Sequence, residues 1–116
     1  VRLQGGGRVI MVDEIKVYPN ARGIFRSGSC HLTTDGPLEE LHAFARRIGM
    51  RREWFQDHPL APHYDLIESK RQKALALGAT FVPAREQART RIAKRTSSAR
   101  QALKLLGSGQ IAKKKR

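Results

Sequence analysis

A chain of 116 residues with 40% apolar side chains has the length and apolar content of one domain with a modest core, and leaves little room for two. No apolar run approaches the roughly 20 residues a membrane-spanning helix needs, the opening VRLQGGGRVI lacks the apolar core of a secretory signal, and the single cysteine, Cys30, excludes an internal disulfide and a cysteine-built zinc site. The net charge of +13 is uneven: residues 85 to 116 hold 11 Lys or Arg against Glu86 alone, whereas residues 1 to 84 hold 12 basic and 9 acidic side chains. The composition therefore reads as a soluble, cytoplasmic protein whose near-neutral body carries a basic arm suited to nucleic acid or another polyanion.

Residues 1 to 8, with Gly5-Gly6-Gly7, read as a flexible lead-in; the glycines precede a strand instead of following one, so they make no phosphate loop. Met11 reads as an alternative start, which would make residues 1 to 10 an extension. Val9-Ile10-Met11-Val12 is a β-prone apolar run that stops at Asp13, as a buried strand does. Residues 18 to 29, YPNARGIFRSGS, carry the punctuation of a loop, decorated by Arg22 and Arg26. A short strand over Cys30 to Thr33 follows, with Cys30 read as a small core residue. A helix then begins near Asp35 to Pro37, with Asp35 as its cap, Pro37 in its first turn and Glu39 and Glu40 at the positive end of its dipole. Leu38, Leu41, Phe44, Ala45 and Ile48 form its apolar stripe, and Gly49 stops it.

The segment RREWFQ, 51 to 56, predicts a short strand with Trp54 and Phe55 in the core, and DHPLAPHYD, 57 to 65, a mostly extended loop with His58 at the surface. A second helix over Glu68 to Leu77 packs Ala74, Leu75 and Leu77 and ends at Gly78; Thr80-Phe81-Val82 is the last strand, closed by Pro83. Strands alternating with helices predict an α/β domain over residues 1 to 84, a small sheet with two packed helices. From Ala84 the residues Ala84, Ala88, Ile92, Ala99, Leu103 and Leu106 recur at four and seven, predicting over 85 to 116 a C-terminal basic amphipathic helical arm and tail, the helix having Thr96-Ser97-Ser98 as its weak centre and Gly107-Ser108-Gly109 as its end, and Lys113 to Arg116 forming a frayed basic tip. Its cations, Arg85, Arg89, Arg91, Lys94, Arg95, Arg100, Lys104, Lys113, Lys114, Lys115 and Arg116, are the candidate nucleic-acid contacts.

Ligands of open α/β sheets gather at strand ends, which singles out Asp13 as a candidate metal ligand for a divalent ion. His31 in a strand, His42 at the edge of its helix's apolar stripe, and the pair His63 and Asp65 are candidate catalytic residues. In an extended segment His63 and Asp65 point the same way, so Asp65 can orient His63 or share a ligand with it. The alternative for each imidazole is a hydrogen-bonded structural role. The spacing matches no zinc-protease, deaminase or P-loop pattern.

The ordered set VDE at 12 to 14, CHLTTDGPLEELHAFARRIGMRREWFQ at 30 to 56, HYDL at 63 to 66 and KRQKALALGA at 70 to 79 resembles a small bacterial and phage family of unknown function, DUF4031, over about residues 9 to 83. Ile67-Glu68 stands where the family pattern has a Thr-Pro helix start, and the basic arm lies outside the resemblance. The resemblance implies one compact domain that groups Asp13, His31, His42, His63 and Asp65, and no reaction. The leading reading of the residues is binding of nucleic acid or nucleotide through the arm and a His/Asp cleft; the alternatives are hydrolysis of a phosphate ester by a metal-dependent or His-based site, and assembly through docking of the basic helix.

Overall fold

The computed structural model describes residues 9–109; the readings made on residues 1 to 8 and on Lys113, Lys114, Lys115 and Arg116 lie outside the described residues. The chain divides into two units, one up to Pro83 and one from Ala84. In the first unit, strands β1 (Ile10–Val12), β2 (Cys30–Thr34), β3 (Tyr64–Leu66) and β4 (Thr80–Phe81) form a mixed sheet in the order β3-β2-β1-β4. β1 and β3 both run antiparallel to β2, and β4 runs parallel to β1. Helices α1 (Leu38–Arg47) and α2 (Glu68–Ala76) complete this mixed α/β fold.

Alternation along the strands decides what each face holds. Val12, Leu32, Tyr64 and Leu66 are buried in one cluster with Leu41, Phe44, Ala45 and Ile48 of α1 and Ala74 of α2. Burying side chains of this size contributes about 1.5–3 kcal/mol each, so this face carries the stability. Cys30 lies in the same cluster, the small core residue that its sequence setting suggests. His31 and Asp65, one position out of phase, emerge on the opposite face, opposite each other in the β2–β3 register.

Several local expectations are corrected. Residues 51 to 56 are not a strand: Arg52–Trp54 is a 3-10 turn, and only Gln56 finds a ladder partner, His63. A strand needs a row of partners, and Arg51 instead stacks near Trp54 and pairs with Glu53 at 2.6 Å. Trp54 is consequently 48% exposed and not core, whereas Phe55 packs partly against the cluster. HYD, read as loop, belongs instead to the β3 segment, because the Gln56–His63 bridge turns the chain back onto β2. His58 stays at the surface, where its ring faces the N–H groups of Leu60 and Ala61. Asp35 does not cap α1; its carboxylate accepts the Val9 N–H at 2.7 Å, while Pro37, in extended conformation, precedes the first turn. Leu38 and Leu77 are exposed, so the stripe of α1 starts at Leu41 and α2 buries Ala74 with Leu75 partly covered.

The second unit is α3 (Ala84–Gly109), which runs unbroken through Thr96-Ser97-Ser98 and whose described residues end at Gly109, within the expected Gly107-Ser108-Gly109 stop. Arg85, Arg89, Lys94, Arg95, Arg100 and Lys104 are exposed and Arg91 is half-buried. Ile92, Leu103, Leu105 and Leu106 are exposed as well.

Candidate metal centre

β1 ends at Val12, and the next residue, Asp13, is 4% exposed. Each oxygen of its carboxylate accepts from one neighbour: Oδ1 accepts the His31 backbone N–H at 2.6 Å and Oδ2 accepts the His31 ring at 2.7 Å. Arg71 of α2 donates to the Asp13 carbonyl at 2.9 Å and fixes the backbone beneath it. A carboxylate accepts only, so the His31 ring must donate from Nδ1, which leaves Nε2 as the bare acceptor nitrogen. The bond to Asp13 holds the His31 pKa above its ordinary 6.5, against the opposing effect of burial.

His63 reaches the same state by another route. Its Nδ1 donates to the Ala61 carbonyl at 2.8 Å, so its Nε2 is also bare. The two rings meet edge to face with centroids 4.8 Å apart. Between them lies Asp65, whose Oδ1 is 3.9 Å from His31 Nε2 and 3.5 Å from His63 Nε2. The other oxygen, Oδ2, accepts from the Gln56 side chain.

Two bare imidazole nitrogens and a carboxylate oxygen thus converge within 4.8 Å of one another, all half-buried, without hydrogen-bonding to one another. Ligands held about 2.0–2.2 Å from a tetrahedral ion stand about 3.4 Å apart, close to the 3.5 Å of one pair here and under the 3.9 Å of a second, while the third pair, His31 with His63, lies within 4.8 Å and would draw together on binding. Hydrogen bonds by contrast need about 2.7–3.2 Å. The set suits zinc or another divalent ion that accepts nitrogen and oxygen, and three protein ligands leave a position for water or substrate. Each imidazole has an outer partner on its far nitrogen and Asp65 has Gln56, the arrangement that orients metal ligands.

Not every residue singled out in the sequence joins this centre. His31, His63 and Asp65 converge. Asp13 is not placed as a ligand, since both of its oxygens are committed to His31; it stands behind that ligand. His42 lies on the helix-covered side: its Nδ1 shares a hydrogen bond with the Tyr64 hydroxyl at 2.9 Å and its ring packs edge-on against Phe55. Tyr64 and Asp65 are adjacent in a strand and point to opposite faces, which is why the imidazole that reaches Tyr64 cannot reach Asp65. Burial, then Arg52, lowers the His42 pKa below 6.5.

Sequence reasoning missed Gln56, whose role depends on a bridge formed across the proline-rich turn, and Tyr18, whose phenol pKa is raised by burial and then by the charges of Asp13 and Asp65. It also missed a cavity of about 500 Å³ that adjoins the centre at Asp65 and Gln56 and is otherwise walled by Ile24, Phe25, Met50, Trp54, Ile67 and Lys70. Nothing in residues 18 to 29 signalled that Ile24 and Phe25, in a 3-10 turn (Gly23–Phe25), would wall a cavity.

In comparison with known proteins, the family model described as "Protein of unknown function (DUF4031)" matches residues 10–94. No curated protein and no solved structure matches the chain. Among the described residues, no helix is long and apolar enough to cross a membrane.

Proposed function

The chain belongs to the DUF4031 family, whose description names no activity, and from its own geometry we propose that it is a divalent-metal-dependent hydrolase acting on phosphate esters. The observation that carries this reading is the convergence of His31, His63 and Asp65, with both imidazoles held in the tautomer that presents Nε2. A metal held by these three groups supplies a Lewis acid and lowers the pKa of bound water towards neutrality. In the hydrolysis the water oxygen bonds to phosphorus, the bond from phosphorus to the ester oxygen breaks, and the leaving oxygen takes up a proton, giving an alcohol and inorganic phosphate. Asp13 keeps His31 in register and in tautomer, and Gln56 orients the Asp65 carboxylate by donating to its Oδ2.

The test is calorimetric titration of chelator-treated protein with zinc and with manganese, beside His31→Ala, His63→Ala and Asp65→Ala, followed by hydrolysis of phenyl phosphate by each metal-loaded form. Saturable one-to-one binding that each substitution weakens by tenfold or more, with hydrolysis that follows metal occupancy, is the expected result. Binding unaffected by the three substitutions, or metal-loaded protein without hydrolysis of any phosphoester, refutes it.

A second reading rests on a different observation, the exposed Arg and Lys side chains of α3. They suit binding to nucleic acid or another polyanion with little sequence preference, and affinity should fall steeply with salt. If a chain truncated after residue 84 retains its affinity for single-stranded DNA and RNA and the same salt slope, this second reading fails.

A further inference from the structure

The cavity beside the metal centre is lined almost wholly by apolar groups: Ile24 and Phe25 from the 3-10 turn, Met50 after α1, Trp54, and Ile67 just past β3. Its polar lining is Gln56, Asp65 and Lys70. A space of about 500 Å³ with this lining is the size and character of a small-ligand pocket, and the two aromatic side chains and the methionine sulfur suit the face or edge of a flat ring. Lys70 donates to the Ile48 carbonyl at 2.9 Å, which leaves two of its three donors uncommitted by that bond. Gly49 lets the lysine lie there: its φ of +85 suits glycine, and a Cβ at that position would stand 2.7 Å from Nζ.

Charge decides what else the pocket takes. Asp65 and Lys70 are its one anion and its one cation, so the lining is neutral while the centre is empty of metal. A divalent ion on His31, His63 and Asp65 balances that carboxylate together with the Asp13 carboxylate behind His31, and Lys70 then leaves the pocket an excess of positive charge. The pocket should therefore receive an anion more tightly when the metal is present. We propose that this cavity is the substrate pocket of the metal centre and selects a flat-ring phosphate monoester, with the ring among Phe25, Met50 and Trp54 and the phosphate between the metal and Lys70. This deepens the hydrolase reading and rests on it for the phosphate, whereas the site for the ring stands on the cavity alone.

Trp54 is the single tryptophan of the chain, so its indole N–H gives one NMR signal at the pocket wall. That signal is followed during titration with phenyl phosphate, AMP, phenol and inorganic phosphate, each with zinc and with chelator. Phenol should move it in both conditions, and phenyl phosphate or AMP should bind about tenfold or more tightly with zinc than with chelator. A preference between phenyl phosphate and AMP distinguishes an aryl ester from a nucleotide as the source of the ring. Lys70→Met should weaken the favoured phosphate by about tenfold and leave phenol unchanged, with Lys70→Arg restoring most of the loss. Phe25→Ser, which leaves the Lys70–Ile48 bond intact, should weaken phenol and the phosphate alike. A Trp54 signal indifferent to all ring ligands, or phosphates that bind equally with chelator and zinc while zinc is bound, overturns the proposal. Failure of zinc to shift the His31 and His63 imidazole signals, with phenol still moving Trp54, instead overturns the metal centre and leaves the ring site standing.

Discussion

Asp13→Asn is the most informative single substitution because it removes one negative charge and one acceptor oxygen while changing almost no volume. The Asp13 carboxylate is buried and accepts two bonds from His31, at 2.6 Å from the backbone N–H and 2.7 Å from Nδ1. Asparagine offers one acceptor and one NH₂ group. If its oxygen keeps the backbone N–H, its NH₂ faces the ring, where two donors would oppose each other. The ring escapes by moving its proton from Nδ1 to Nε2 and accepting from the amide. Exchanging a charge-assisted bond for a neutral one costs about 1–2 kcal/mol of stability. The larger effect is on metal, because the nitrogen that should bind it now carries a proton. Changes of this kind behind a metal-binding histidine cost about 10–100-fold in affinity, or about 1.4–2.7 kcal/mol. Zinc calorimetry gives the affinity, nitrogen-15 spectra of the imidazoles give the tautomer, and thermal melts separate the folding cost. Unchanged zinc affinity in Asp13→Asn, with the proton demonstrably on Nε2, would refute the reasoning.

Five further outcomes are expected. The His31 pKa in the folded chain lies above its ordinary 6.5, so the metal-free protein holds this contribution below pH 6.5 and loses it as pH rises through the folded value. Zinc requires the unprotonated ring, so its stabilisation should grow over the same interval; melting temperatures with chelator and with zinc at about pH 6 and about pH 8 should move in opposite directions. His42 has the opposite sign in a lower window: its depressed pKa preserves stability above 6.5 and forfeits it as pH falls through the folded value, a slope that His42→Gln should remove. Tyr64→Phe should cost about 1 kcal/mol in chemical denaturation and leave zinc affinity unchanged, since the Tyr64–His42 bond lies on the other face. Burial, then Asp13, pushes the Cys30 thiol up to about 12, so a thiol reagent at neutral pH should react at the rate of unfolding; rapid labelling of the native chain would contradict the core placement. The buried cluster is complete by Ala79, and a chain truncated after residue 84 should retain a cooperative thermal transition.

Much of the fold was legible where one local rule governs. The β-prone run ending at Asp13, the stripe of α1 and the glycines at 49 and 78, both with positive φ, are local signals, and the elements stand there within a residue or two. The errors fall where a segment's state depends on a distant partner. RREWFQ has the composition of a strand, but no strand lies beside it to accept its ladder. HYD has the prolines of a loop ahead of it, but β2 is available as a template and converts the segment to β3. Asp35 is a good cap by type, yet the chain spends its carboxylate on Val9. In the candidate centre, the same-face argument for His63 and Asp65 needed only extended backbone, and so survived the misreading of loop for strand. The exclusion of His42 required knowing which face α1 covers.

The same dependence explains why the core face and the polar face cannot be considered apart. Side chains alternate in a strand, so a one-residue slip of β3 on β2 would send Asp65 into the core and bring Tyr64 or Leu66 opposite His31. What opposes the slip is the burial of Tyr64 and Leu66, about 1.5–3 kcal/mol each, reinforced by the His42–Tyr64 hydrogen bond and by Phe55 against both rings. The loose convergence of His31, His63 and Asp65 could not hold that register unaided, because its separations of 3.5 and 3.9 Å exceed hydrogen-bonding distance. His42 therefore bears on the centre without touching it, by pinning the tyrosine whose neighbour in the strand is the ligand. His42→Ala, like Tyr64→Phe, should accordingly cost stability and leave the zinc affinity of the folded chain unchanged, whereas Asp13→Asn acts on that affinity directly through the proton of His31.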